Sequence, residues 1–70
     1  MEELSFSLEQ EFIELQQLLK LLGLAESGGG AKALIASGTV RVDDVPEIRR
    51  GRKIRTGMVV AIPGARITVS

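Results

Sequence analysis

The sequence contains no cysteine, histidine, tryptophan or tyrosine, and these absences exclude several classes of function. Without cysteine there can be no disulfide framework and no thiolate metal site, which is typical of a protein from a reducing compartment. Without histidine as well, a conventional catalytic triad or a zinc centre lacks its bases and ligands. We therefore expect a non-catalytic protein that needs no metal and no cofactor.

Long apolar runs are missing too. The longest, LLKLLGLA, is short and is interrupted by Lys20, so it cannot span a membrane. The acidic N-terminus lacks the basic and apolar pattern of a signal peptide. Seventy residues with 44% apolar content allow one modest hydrophobic core. The sequence predicts a single domain over residues 1–70, located in the cytoplasm.

Charge is present in equal numbers of both signs but is distributed unevenly. Residues 1–26 carry six acids and one base, a charge of −5, and residues 27–70 carry eight bases and three acids, a charge of +5. The stretch IRRGRKIR, residues 48–55, contains five cations in eight residues. A binding partner is attracted or repelled by the local charge of each half rather than by the net charge of zero. The basic half is therefore the candidate binding surface.

The N-terminal third predicts a strand and a helix. In ELSFSLE, Leu4, Phe6 and Leu8 alternate with serines, which favours a short half-buried strand. Ser7 and Gln10 also fit a capping box, so a helix could instead begin near Leu8. Apolar residues then recur at helical spacing from residue 12 to residue 22, which predicts a first helix that ends at the following glycine.

A second helix is predicted between Ser27, a good N-cap, and Gly38, which can end it in a left-handed conformation. Its apolar face consists of Ala31, Leu34 and Ile35.

The composition after this helix is β-like. Val40 and Val42 would face inward with Arg41 outward, a turn follows at residues 43–44, and Pro46 restricts the next segment to an edge or a loop. MVVAI and ARITVS are separated by a Pro-Gly turn and predict two more strands. The fold class is therefore α+β, with two short helices packed on a small, mostly antiparallel sheet.

Two segments outside the basic run could carry chemistry. Glu11 and Glu14 are three residues apart on the predicted first helix and could form an acid/base pair or hold magnesium, but an ordinary solvated face is the simpler interpretation. The segment ESGGGAK lacks the spacing of a nucleotide-hydrolysing loop. Its three glycines would let a phosphate approach the free N–H groups of the second helix, with Lys32 on the same stripe as Gly28. A flexible turn is the alternative.

The basic run itself favours phosphate recognition, because its arginines outnumber its lysine four to one. Ile48 and Ile54 are its expected apolar anchors, and it could face the glycine-led start of the second helix. The two phenylalanines, Phe6 and Phe12, occupy apolar-periodic positions and are expected in the core rather than as stacking platforms.

The stretches LLKLLGLAESGGGAKALIASGTVRVDD and EIRRGRKIRTGMVV resemble the alpha-L RNA-binding domain of ribosomal protein S4 of the small subunit, in its small free-standing bacterial form. Where many members carry an arginine and an Asn-Gly turn, this chain has Gly28 and Asp43-Asp44. The resemblance implies non-catalytic binding of structured RNA such as ribosomal RNA, and no membrane or small-molecule partner. Few aromatic residues favour readout of backbone and shape. The candidate RNA-binding residues are Ser27, Gly28, Gly29, Lys32, Arg41, Arg49, Arg50, Arg52, Lys53 and Arg55.

A second hypothesis from the same charge pattern is a protein-interaction module, in which the acidic end of the first helix meets a basic partner.

Overall fold

The computed structural model describes residues 1–25 and 28–70, so the predicted N-cap Ser27 lies outside the described residues. The elements run in chain order as β1 (Glu2–Phe6), β2 (Ile13–Glu14), α1 (Leu15–Leu21), α2 (Gly28–Ala36), β3 (Arg41–Val42), β4 (Val45–Pro46), β5 (Lys53–Ile54), β6 (Val59–Ile62) and β7 (Ala65–Val69).

Five of the strands form one sheet in the order β1-β7-β6-β3-β4. Its neighbours are antiparallel except for β1 and β7, which run parallel from Glu2 opposite Ala65 to Phe6 opposite Val69. A second, two-stranded sheet joins β2 to β5. Pro46 lies in the edge strand β4, as expected for a residue without a backbone N–H. The predicted α+β fold with a mostly antiparallel sheet is confirmed.

The core lies between the sheet and the two helices. In β7, Ala65, Ile67 and Val69 are buried while Arg66 and Thr68 are exposed, which is the predicted period of two. The helices add further buried side chains, namely Leu15, Leu18 and Leu19 from α1 and Ala31 and Ile35 from α2. Leu34, expected to be buried with Ile35, is half-buried and packs against the edge of the core.

The predicted turn at Asp43 and Asp44 joins β3 to β4. Both residues have positive φ, 50° and 68°, which matches the twist of a two-residue hairpin loop. An oxygen of the Asp43 carboxylate accepts a 2.9 Å hydrogen bond from the Val59 N–H, so the turn is also fixed to β6. The glycines after the helices, Gly23 and Gly38, have φ of 73° and 83° and end α1 and α2 as predicted.

The predicted start of the first helix is wrong. The helix begins at Leu15 rather than near Phe12 or Leu8, and the strand predicted from ELSFSLE forms instead of the capping box. Glu14 is extended because it pairs with β5, and Glu11 precedes β2, so these two acids do not share a helix face. The structure therefore removes the geometry on which the acid/base or magnesium alternative depended.

Within residues 1–25 and 28–70, no helix is long and apolar enough to cross a membrane.

Candidate nucleic-acid interface

The basic run, residues 48–55, consists of a loop that leads into β5, and the loop is tied to the start of α1 by backbone hydrogen bonds. The Leu15 N–H donates to the Arg52 carbonyl at 2.9 Å, and the Gln16 N–H donates to the Arg50 carbonyl at 3.0 Å. The first N–H groups of a helix have no partner within the helix, and the Glu14 side chain does not cap them. The loop carbonyls satisfy two of them, so the fold fixes the position of the basic loop.

Glu47 orients two arginines of this loop. Its side chain is only 8% exposed, and its backbone N–H donates to the Val40 carbonyl at 2.9 Å. The carboxylate accepts hydrogen bonds from Arg49 Nε at 3.0 Å, Arg49 Nη2 at 3.1 Å and Arg52 Nη1 at 2.8 Å. The Arg49 backbone N–H donates to it as well, at 3.0 Å. Charged hydrogen bonds of this kind hold planar guanidinium groups in a fixed direction.

The same contacts change the acidity of Glu47. The side-chain hydrogen bonds from Arg49, followed by those from the Arg49 backbone and from Arg52, lower the pKa of Glu47 from 4.5 to about 2, against the opposing effect of burial. The carboxylate raises the pKa of Arg49 in turn. Glu47 therefore stays ionised at neutral pH.

Three further candidate cations are exposed, and none of them is paired with another described residue. Lys32 on α2, Arg41 on β3 and Arg50 in the loop form no ion pair and no side-chain hydrogen bond with any other described residue. They can therefore contact an anion without first breaking an ion pair to the part of the chain that the structure describes.

Two grooves flank the basic loop. The α2 groove, of about 390 Å³, lies between α2 and the loop and is lined by Lys32, Ala36, Ile48, Arg49, Arg50 and Gly51. The β5 groove, of about 550 Å³, adjoins the same loop and is lined by Arg49, Gly51, Arg52, Lys53, Arg55 and Met58. Arg49 and Gly51 border both grooves, so the loop is a basic ridge between them. The basic run therefore meets α2 at Lys32 and Ala36, whereas the sequence predicted that it would face the glycine-led start of the helix.

Some candidate residues lie away from these grooves. Gly28 and Gly29 fall in the first turn of α2, and Arg41 is exposed on β3; Gly29 and Arg41, both among the described residues, line neither groove. Ser27 lies outside the described residues. Ile48 is 65% exposed in the α2 groove, so the expectation that it anchors the loop is wrong, whereas Ile54 is fully buried as predicted.

Phe12 is the second correction in this region. Phe6 packs against the core as expected, but Phe12 belongs neither to the core nor to the apolar residues packed on it. Lys53 Nζ lies 4.9 Å and Arg55 Cζ 5.6 Å from the centroid of the Phe12 ring. Both distances are within the range of cation–π attraction. Arg55 also pairs with Glu11 at 3.4 Å.

Sequence reasoning missed the roles of Glu47 and Phe12. Glu47 precedes Arg49 by two residues and Arg52 by five, which was a visible signal for an ion pair, but its burial depends on the sheet. No group of three or more acidic side chains that could hold a metal ion occurs in the described ranges.

The chain is similar in sequence to a known protein family and to known bacterial proteins. The family model described as S4 domain matches residues 6–70. YbcJ of Escherichia coli K12, named as a candidate RNA-binding protein, is 44% identical over 66 residues, which cover 93% of this chain and 94% of that protein. RlbA of Bacillus subtilis, named as a probable ribosome maturation protein, is 47% identical over 58 residues, which cover 83% of this chain and 82% of that protein.

A solved structure agrees with the sequence matches. The solution structure of YbcJ, described as revealing an ALFAL motif involved in RNA binding, superposes with a TM-score of 0.72 at 44% identity. The superposition covers 93% of this chain and 84% of that one.

Proposed function

Because this chain belongs to the S4 domain family, we propose that it is a non-catalytic RNA-binding protein that recognises the phosphate backbone and the shape of structured RNA. The basic ridge between two grooves is the observation that carries the proposal, since cations line both of its sides. Phosphate contacts dominate the affinity of most proteins for nucleic acids. Ribosomal RNA is the proposed target, because the similar Bacillus subtilis protein is named for ribosome maturation.

The proposed contacts fall into two groups. Arg49 and Arg52 are oriented in advance by Glu47, so they lose little side-chain freedom when they bind a phosphate. Lys32 and Arg50 are unpaired with other described residues, and both line the α2 groove. The remaining candidates from the sequence, Ser27, Gly28, Gly29, Arg41, Lys53 and Arg55, would extend the contact surface.

The proposal predicts a steep salt dependence of RNA affinity. Each phosphate contact adds about 0.7 to 0.9 to the log–log slope, so four or five contacts give a slope of about −3 to −4. Arg50→Gln and Lys32→Gln should each make the slope shallower by about one contact without unfolding the protein, because both side chains are exposed and unpaired with the described residues. Fluorescence anisotropy with a ribosomal RNA hairpin at several salt concentrations measures this.

Lys20→Gln is the matched control. Lys20 is an exposed cation that lines neither groove, so its loss changes net charge by the same amount away from the ridge. If the salt response were flat, or if Lys20→Gln weakened binding as much as Arg50→Gln, the ridge would not be the RNA-binding surface.

A further inference from the structure

A third cavity lies between the segment of residues 10–14 and α1. Its volume is about 350 Å³, and its lining comprises Gln10, Phe12, Ile13, Glu14, Gln17 and Leu21. Small-molecule sites begin at about 300 Å³, so this space is large enough for a planar ring system. Leu21 is 64% exposed, which leaves apolar surface open at the rim. We call this space the Phe12 cavity.

The Phe12 cavity combines an aromatic ring with free amides. Phe12 is partly exposed and is not packed into the core. Gln10 and Gln17 are exposed and form no hydrogen bond with other described residues, so their amide groups can donate to and accept from a ligand. An apolar stacking surface with amides nearby suits a nucleobase, which has a flat face and a polar edge.

The charged side chains around the Phe12 ring favour one orientation of a bound nucleotide. Lys53 and Arg55 lie over the Phe12 ring and also line the β5 groove, so these two cations are shared by the ring and the groove. Glu14, by contrast, lines the Phe12 cavity, and its carboxylate accepts a 2.9 Å hydrogen bond from Gln16 Nε2. A phosphate is attracted to the cationic side and repelled by the acidic side. A nucleotide would therefore place its phosphate in the β5 groove and its base in the cavity.

We propose that the Phe12 cavity binds the base of one unpaired nucleotide in the RNA, with the base stacked on Phe12. This inference rests on the proposed function and adds a specific element to it: the RNA has a helical part on the basic ridge and one unpaired nucleotide next to it. An unpaired base can leave the stack and reach a protein ring, whereas a paired base cannot.

A set of hairpins of the same length tests this proposal. One hairpin is fully paired, and each of the others has a single unpaired nucleotide at a different position of the stem. The parent protein should bind the best-placed bulged hairpin about 5- to 150-fold more tightly than the paired one, which is the range for one base stacked on an aromatic ring. Phe12→Leu keeps the apolar volume but removes the aromatic face, so it should abolish this preference while leaving affinity for the paired hairpin within about twofold. Phe12→Trp should retain the preference.

Phe6→Leu is the matched control, because Phe6 packs on the core and should not affect the choice between hairpins. Circular dichroism should first establish that each variant is folded. Equal affinity of the parent protein for the two hairpins would overturn the proposal and leave the RNA-binding function standing. An equal loss of affinity for both hairpins in Phe12→Leu would overturn it too, since the ring would then only position Lys53 and Arg55. Absence of binding to either hairpin would instead refute the proposed function.

Discussion

Replacing Glu47 with glutamine tests whether a buried charge holds the basic loop together. The substitution keeps the size of the side chain but removes the charge that accepts from Arg49 and Arg52. Lowering the pKa from 4.5 to about 2 corresponds to about 3 kcal/mol of stability, at 1.36 kcal/mol per pH unit. The Arg49 side chain is 72% exposed, so solvent screening reduces this value. We expect Glu47→Gln to lower the free energy of unfolding by about 1 to 2 kcal/mol at pH 7.

The destabilisation caused by Glu47→Gln should become smaller as the pH falls. Since the pKa of Glu47 is lower in the folded state, its contribution is complete above about pH 4.5 and is lost as the pH falls toward 2. The difference between the parent and Glu47→Gln should therefore be largest at neutral pH and close to zero at pH 2. Urea unfolding followed by circular dichroism at several pH values gives both free energies.

Glu11→Gln provides the comparison, because the Glu11 side chain is 82% exposed in its pair with Arg55 and should contribute less than about 1 kcal/mol. The reasoning would be refuted if Glu47→Gln were as stable as the parent at neutral pH. It would also be refuted if the difference between them persisted unchanged at pH 2.

Three further predictions concern the core, the hairpin and the start of α2. Ile35→Ala should lower the free energy of unfolding by about 2 to 5 kcal/mol, because Ile35 is fully buried, and the half-buried Leu34→Ala should cost less; urea midpoints compare them. Asp44→Val should destabilise by about 1 to 2 kcal/mol at φ of 68°, whereas Asp44→Gly should be tolerated, as thermal midpoints will show. Gly29→Val should weaken RNA binding with an unchanged salt slope, by holding the RNA away from the helix N–H groups; unchanged affinity would mean that the glycines form only a turn.

The sequence predicts those parts of the fold that depend on neighbouring residues. The alternation in β7, the turn at Asp43 and Asp44, and the glycines that end both helices all follow from local backbone preferences. The start of α1 does not, because Ile13 pairs with Ile54 across the small sheet and holds the chain extended where apolar spacing alone favours a helix. This distant pairing outweighs the local pattern.

The candidate site was predictable in its charges but not in its arrangement. Lys32 and Arg50 were expected on facing segments, and they do line one groove. The exposure of Ile48, the burial of Glu47 and the position of Phe12 outside the core depend on how the loop folds against α1 and the sheet. The spacing of residues along the chain does not predict such contacts, since they join residues that are far apart in sequence.

The parallel pairing of β1 with β7 also has a kinetic consequence. The ion pair between Glu3 and Arg66 joins residues 63 positions apart, and the whole of β1 is held to the sheet across a similar separation. Closing a loop of this length costs roughly 4 kcal/mol of chain entropy before any contact compensates for it. The hairpin of β6 and β7 can form locally, so β1 is expected to join last. Refolding should therefore be slower than in a helical bundle of equal length, and a nascent chain should expose β1 until β7 has been synthesised.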